Sequence, residues 1–178
     1  MKRDPIYGLM AEFDNPTALV EAARETLNAG YKKIDAYSPF PIEELPEAIG
    51  FQKNGVPLVV LVGGILGGLT GYLMQYWISA IAYPVNVGGR PLNSWPAFIV
   101  VTFEMTILFA GVAAVFGMLA LNGLPMPYHP VFNVPRFAFA SKDRFFLIVF
   151  SSDAKYERTE TRRFLEHLHP RSLSEVPS

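Results

Sequence analysis

From Asn54 to Pro135 the chain carries only two charged residues, Arg90 and Glu104, while the other 29 of its 31 charged residues lie in the two flanking segments. A stretch that long and that poor in charge must be buried in something. A chain of 178 residues has too little remaining polypeptide to bury it. Two runs within it, VPLVVLVGGILGGLTGYLMQYWISAIA at 56–82 and AFIVVTFEMTILFAGVAAVFGMLAL at 97–121, each exceed the ~20 residues needed to cross a ~30 Å hydrocarbon core. Two transmembrane helices are expected, joined by a short loop at 83–96. The competing reading, a helical hairpin inside a soluble core, fails because this chain is too short to cover two uninterrupted apolar helices.

The ends of the spans indicate orientation. Tyr76, Trp77 and Tyr83 close the first span, and Trp95 and Phe98 open the second, as in the aromatic belt of a membrane boundary. The joining loop, YPVNVGGRPLNSWP, carries Arg90 alone, whereas Lys53 precedes the first span and Arg136, Lys142 and Arg144 follow the second. The positive-inside bias then puts both termini in the cytoplasm and the loop outside. The opening MKRDPIYGLMAE has no apolar core or small-residue cleavage site, so no signal peptide is expected.

Within the first span Gly63, Gly67 and Gly71 recur at four-residue spacing with Gly64 and Gly68 beside them, and the second span offers Ala110, Ala113, Ala114 and Gly117. Such stripes let helix backbones approach closely, where dispersion and weak Cα–H···O bonds replace the hydrophobic drive that lipid cannot supply. One reading is a tight hairpin. The sharper reading is that five glycines exceed what one seam needs, so part of the stripe docks on a partner's helices. Glu104 is the one ionisable residue inside a span, where insertion costs about 3 kcal/mol unless it is paired or neutralised. It is expected to face protein or trapped water. Gln75, Thr102 and Thr106 lie at comparable depth, so it either pins helix contacts by hydrogen bonding or belongs to a proton pathway.

The flanks read as one soluble domain cut in two. Ile6–Phe13 alternates as a strand, Asn15-Pro16 opens a helix that buries Leu19, Val20, Ala23 and Leu27, and Gly30 stops it before a second strand at 31–37. Pro39, Pro41 and Pro46 mark a linker with a short surface helix around 42–50. After the second span, residues 122–136 contain Pro125, Pro127, Pro130 and Pro135 and read as a stiff extended connector. FFLIVFSSD at 145–153 reads as a central strand, followed by a helix at 154–167 showing Thr161, Phe164, Leu165 and Leu168 on one side, and a last strand at 172–176. Joined, the halves at 1–50 and 137–178 give β-α-β-β-α-β. The expected class is an α+β membrane protein, a ferredoxin-like cytoplasmic domain with a transmembrane hairpin, 51–121, inserted between its second and third strands.

Little in the sequence supports chemistry. With no cysteine, disulfides, thiolate zinc, cysteine-ligated iron–sulfur clusters, covalent c-type haem and a Cys nucleophile are all excluded. A net charge of -1 argues against nucleic acid as a partner. His167 and His169, two apart at a helix end, read as solvated or capping residues rather than a metal pair, and His129 stands alone between prolines. No phosphate-binding glycine loop is present, and Ser151 and Ser152 have no His and acid arranged near them in sequence. Catalytic, metal and cofactor-binding residues are therefore assigned to none.

The segments YGLMAEFDNPTALVEAARETLNAGYKKIDAYSPFPIEEL and YPVNVGGRPLNSWPAFIVVTFEMTIL resemble the DUF3341 family, that of the D subunit of bacterial alternative complex III. The resemblance runs over nearly the whole chain, and the loop motif NVGGRPLNSWP ahead of the Glu104 helix is its most specific part. It implies a cofactor-free integral subunit of a quinol-oxidising respiratory complex in the bacterial cytoplasmic membrane. The implied partners are polytopic quinol-binding subunits, haem c and iron–sulfur subunits that carry the electrons, and a terminal oxidase where one is attached. A non-catalytic scaffold is the first expectation, a proton-pathway role for Glu104 the second, and a stand-alone membrane sensor the third.

Overall fold

A computed structural model describes residues 6–51 and 54–178; the Met1–Pro5 start and Lys53, one of the orientation markers, lie outside the described residues. The chain divides into two compact units, one from its two flanks and one from its middle.

In the flanking unit, β1 (Ile6–Phe13) runs into α1 (Pro16–Asn28). Asn15 caps α1 by accepting from the Ala18 N–H at 2.7 Å, and Pro16 takes the first helical position, where a missing N–H costs nothing. Gly30, at φ +96°, turns the chain out of the helix in a conformation that side chains resist. β2 (Ile34–Tyr37) starts three residues later than expected, and α2 is a single turn at Leu45–Ala48. After the middle unit come β3 (Phe145–Phe150), α5 (Arg158–His167) and β4 (Ser172–Pro177). The last helix begins four residues later than its apolar spacing predicts. Asp153 folds residues 153–155 into a turn, and Glu157 supplies the cap, accepting from the N–H groups of Thr159 and Glu160.

The four strands form one sheet in the order β2-β3-β1-β4, with every neighbouring pair antiparallel. One sheet face packs Leu9, Ala11, Phe13, Leu147 and Val149 against Leu19, Val20 and Ala23 of α1 and Leu165 of α5. The opposite face is also dry. Met10, Phe146, Ile148 and Val176 are buried there by Val131, Val134, Phe137 and Ala140. Those covering residues come from the proline-rich segment expected to be an extended connector. Two short 3-10 helices, Pro130–Asn133 and Pro135–Ser141, shape it instead. Proline fixes φ near the 3-10 value at the first position of each, and the three-residue repeat Val131, Val134, Phe137, Ala140 lines one side as a 3-10 winding requires.

The middle unit is a pair of long helices. α3 (Val56–Tyr76) continues through a π-helical segment, Trp77–Ala82, and α4 spans Trp95–Leu121. α4 starts two residues before the expected boundary because Pro96 fits its first turn. Together with its π segment, the first helix has 27 residues, with a mean hydropathy of 1.9 over an 18-residue stretch; the second also has 27, with 2.2 over such a stretch, so both are long and apolar enough to cross a membrane.

Candidate functional site

The two helices meet along a seam built from backbone. A Cβ added at Gly67 would stand 2.7 Å from Phe109 Cβ and closer still to the Met105 carbonyl oxygen; one at Gly63 would overlap Ala113. At Gly71 the nearest atom would be Thr102 Cα at 3.0 Å, at Gly68 Thr106 Oγ1 at 2.9 Å, and at Gly64 Ala110 Cβ at 3.6 Å. All five glycines of the stripe therefore face α4. The chain's own second helix meets the stripe at each of these positions, burying Gly64, Gly67 and Gly71 and leaving Gly63 and Gly68 half-buried. Gly117 meets Val59 in the same way, and Ala114 is half-buried near Ala110 and Ala113. The opposite sides of both helices are exposed and apolar, including Leu61, Ile65, Leu69 and Leu73 on α3 and Val100, Phe103, Leu108 and Val115 on α4.

Gln75 locks the loop end of the seam. Its Nε2 donates to the carbonyls of Gly71 and Phe98, each at 3.0 Å, and lies 3.5 Å from Thr102 Oγ1. Thr106 Oγ1 donates to the Thr102 carbonyl at 2.7 Å, and Tyr72 donates to Asn93 Oδ1 at 3.3 Å. The π segment begins two residues after Gln75. Glu104 is not part of this network. It sits on the exposed side of α4, and among the described residues no hydrogen bond or ion pair reaches it. The expectation that it is satisfied within the hairpin is corrected on this point: Thr102 and Thr106 turn toward α3, and Glu104 points the other way.

The sheet unit holds a carboxylate that sequence reasoning missed. Glu12 is 1% exposed at the end of β1. Arg136 clamps it with two bonds of 2.6 Å, Nε to Oε2 and Nη2 to Oε1, and Ser172 Oγ donates to Oε2 at 2.6 Å. Arg144 approaches at 3.7 Å while pairing with Asp14, which Arg171 also reaches at 2.7 Å. The bond from Arg136, with help from Ser172 and Arg144, outweighs burial and holds the Glu12 carboxyl below the ordinary carboxylate range. The partners lie 124 and 160 positions away in sequence, so no local pattern announces them. Asp153 is a second buried acid. Burial alone would raise its pKa, but the backbone N–H groups of Lys33 (2.6 Å), Lys155 (2.8 Å) and Lys32 (2.7 Å) bind its carboxylate and hold it below the usual value.

A cleft of about 520 Å³ opens beside the 3-10 segment, lined by Tyr37, Ser38, His129, Phe132, Phe137 and Ser141 among others. His129 Nδ1 accepts from the Val131 N–H at 3.4 Å, and its Nε2 lies within hydrogen-bond distance of Tyr7 Oη, at 3.3 Å. Burial, reinforced by Asp35, pushes the Tyr37 hydroxyl far up, which keeps it neutral. Among the described residues, no hydrogen bond joins the imidazole of the cleft to a carboxylate or to the serines that line it. His167 and His169 stack with ring centres 6.2 Å apart, and among the described residues no group of three or more His, Asp or Glu could hold a metal.

These arrangements brace and pack; none of them places a nucleophile, base and acid together. No curated protein matches the sequence. Residues 7–175 match the family described as alternative complex III, ActD subunit, so the match takes in the sheet unit and the helix pair alike. The chain belongs to the ActD subunit family of alternative complex III.

Proposed function

We propose that this chain is a non-catalytic, two-span subunit that scaffolds the quinol-oxidising, electron-transferring assembly to which its family belongs. The observation that carries this reading is the seam: two 27-residue apolar helices closed on each other through Gly63, Gly67 and Gly71, with apolar sides left to face lipid or neighbouring subunits. The strand order β2-β3-β1-β4, antiparallel throughout, supports a ferredoxin-like reading of the sheet unit, whose βαβ halves flank the hairpin. Arg136, Lys142 and Arg144 on the flank, against Arg90 alone in the loop, support cytoplasmic termini in a bacterial inner membrane. Zero cysteines support a chain that leaves haem c and iron–sulfur centres to partner subunits.

The test is gentle detergent extraction of membranes with a tag on this chain, followed by identification of co-migrating subunits and an absorbance spectrum. The chain is expected to run with haem- and iron–sulfur-bearing partners and to contribute no visible absorbance itself. A stable, monodisperse chain without partners, or one carrying its own chromophore, would overturn the proposal and favour a stand-alone sensor. A second reading, that Glu104 serves a proton pathway, draws on its position as a carboxylate within a span. Unchanged proton translocation by an assembled E104Q complex would end it.

A further inference from the structure

We infer that the Glu104 face of α4 is the docking surface for a transmembrane helix of a neighbouring subunit, one presenting a hydrogen-bond-donating side chain level with Glu104. The inference rests on the scaffold reading above and names the surface it uses. Val100, Glu104, Leu108, Gly111 and Val115 fall on one side of α4 at three- and four-residue spacings, and all five are exposed. The side toward α3 is made by other residues, Thr102, Met105, Thr106, Phe109 and Ala113.

Two independent observations single out this face. Glu104 lies nine residues beyond Trp95, about 14 Å along the axis and so near mid-bilayer, where a carboxylate does not stay without a partner. The hairpin cannot supply that partner. The Gln75 amide is committed to the Gly71 and Phe98 carbonyls and the Thr106 hydroxyl to the Thr102 carbonyl, and neither helix contains Lys, Arg or His. A carboxylate accepts hydrogen bonds, so its complement is a donor from another chain. The second observation is Gly111. The seam glycines each face backbone or side-chain atoms of the opposite helix, but a Cβ at Gly111 would meet nothing within 4 Å. Gly111 instead floors a shallow apolar groove of about 410 Å³ with Ile107, Leu108, Val112, Val115 and Phe116. A helix that crosses at Gly111 gains the close approach a missing side chain allows, and its next two turns reach Glu104.

The test uses the full chain in its native membranes. A photo-crosslinking amino acid at Leu108 is expected to label a co-purifying membrane subunit of the complex, whereas the same probe at Leu66, on the exposed side of α3, is not expected to label that subunit. E104L should lower recovery of the tagged chain with its complex by about tenfold and E104Q by no more than about threefold, since an amide still accepts a hydrogen bond. G111L, which fills the groove, should behave like E104L while the hairpin itself stays folded. If the complex is recovered intact with E104L and G111L, and the Leu108 probe labels lipid or a second copy of this chain, the docking surface is refuted while the scaffold reading stands. If the unmodified chain recovers no complex, the scaffold reading fails first.

Discussion

Replacing Gly67 by alanine probes the physical basis of the hairpin more directly than any other change. The new methyl would stand 2.7 Å from Phe109 Cβ, with the Met105 carbonyl oxygen nearer still, whereas ordinary contacts begin at 3.4 Å. Because the obstacle is partly backbone, no rotamer change relieves it, and α3 and α4 must separate locally by about 1 Å. A gap of that size forfeits a quarter to a half of the dispersion energy across the opened seam; with about 30 close atom pairs at ~0.15 kcal/mol each, the loss is about 1–2 kcal/mol. Alanine also favours the helix over glycine by about 1 kcal/mol, so the comparison must remove that term. Gly111→Ala does so, since it takes the same propensity gain with nothing within 4 Å. G67A is therefore expected to be about 1–2 kcal/mol less stable than G111A, with G64A, whose methyl would sit 3.6 Å from Ala110, close to G111A. Both tryptophans, Trp77 and Trp95, belong to the hairpin, so denaturant titration in detergent followed by Trp fluorescence reads this unit alone. Equal midpoints for G67A and G111A would refute close backbone approach as the source of the seam's stability.

Three further outcomes follow from the polar groups. Gln75→Leu removes the amide that ties the two helices at the loop end and should destabilise the hairpin by about 0.5–2 kcal/mol, read by the same fluorescence titration. Glu12 and Asp153 both titrate below their unfolded values, so the unfolded chain binds more protons in acid. Their stabilisation is complete above about pH 5 and is lost as pH falls through the folded pKa values, and E12Q should flatten the acid limb of a circular-dichroism stability profile while costing about 1–3 kcal/mol at neutral pH. Asp153→Ala strands the N–H groups of Lys32, Lys33 and Lys155 and should cost about 2–3 kcal/mol in urea titration, with a midpoint equal to the parent's contradicting the anchoring role.

What could be read in advance was whatever depends on local composition. The two apolar helices, the Asn15-Pro16 start, the Leu9, Ala11, Phe13 alternation and the two βαβ halves each follow from a period or a cap within about 30 residues. The absence of cysteine and the paucity of charge between residues 54 and 135 are likewise properties of the string of residues. The family resemblance carried by NVGGRPLNSWP and the Glu104 helix is borne out by the match over residues 7–175.

Tertiary structure decided every question of which side a residue turns to. Glycine spacing announced a close contact but could not say that α4 would occupy all five positions, because a bare helix surface is equally ready for any neighbour. Four prolines suggested a strut, yet the valines and phenylalanine among them had an uncovered sheet face to bury, and apolar burial outweighed extension. Glu12 drew no reading from its neighbours in sequence, because its partners Arg136 and Ser172 come from more than a hundred residues away. Sequence spacing constrains neighbours along one element, whereas the partners of a buried charge or a close backbone are set by chain closure, which only the folded molecule specifies.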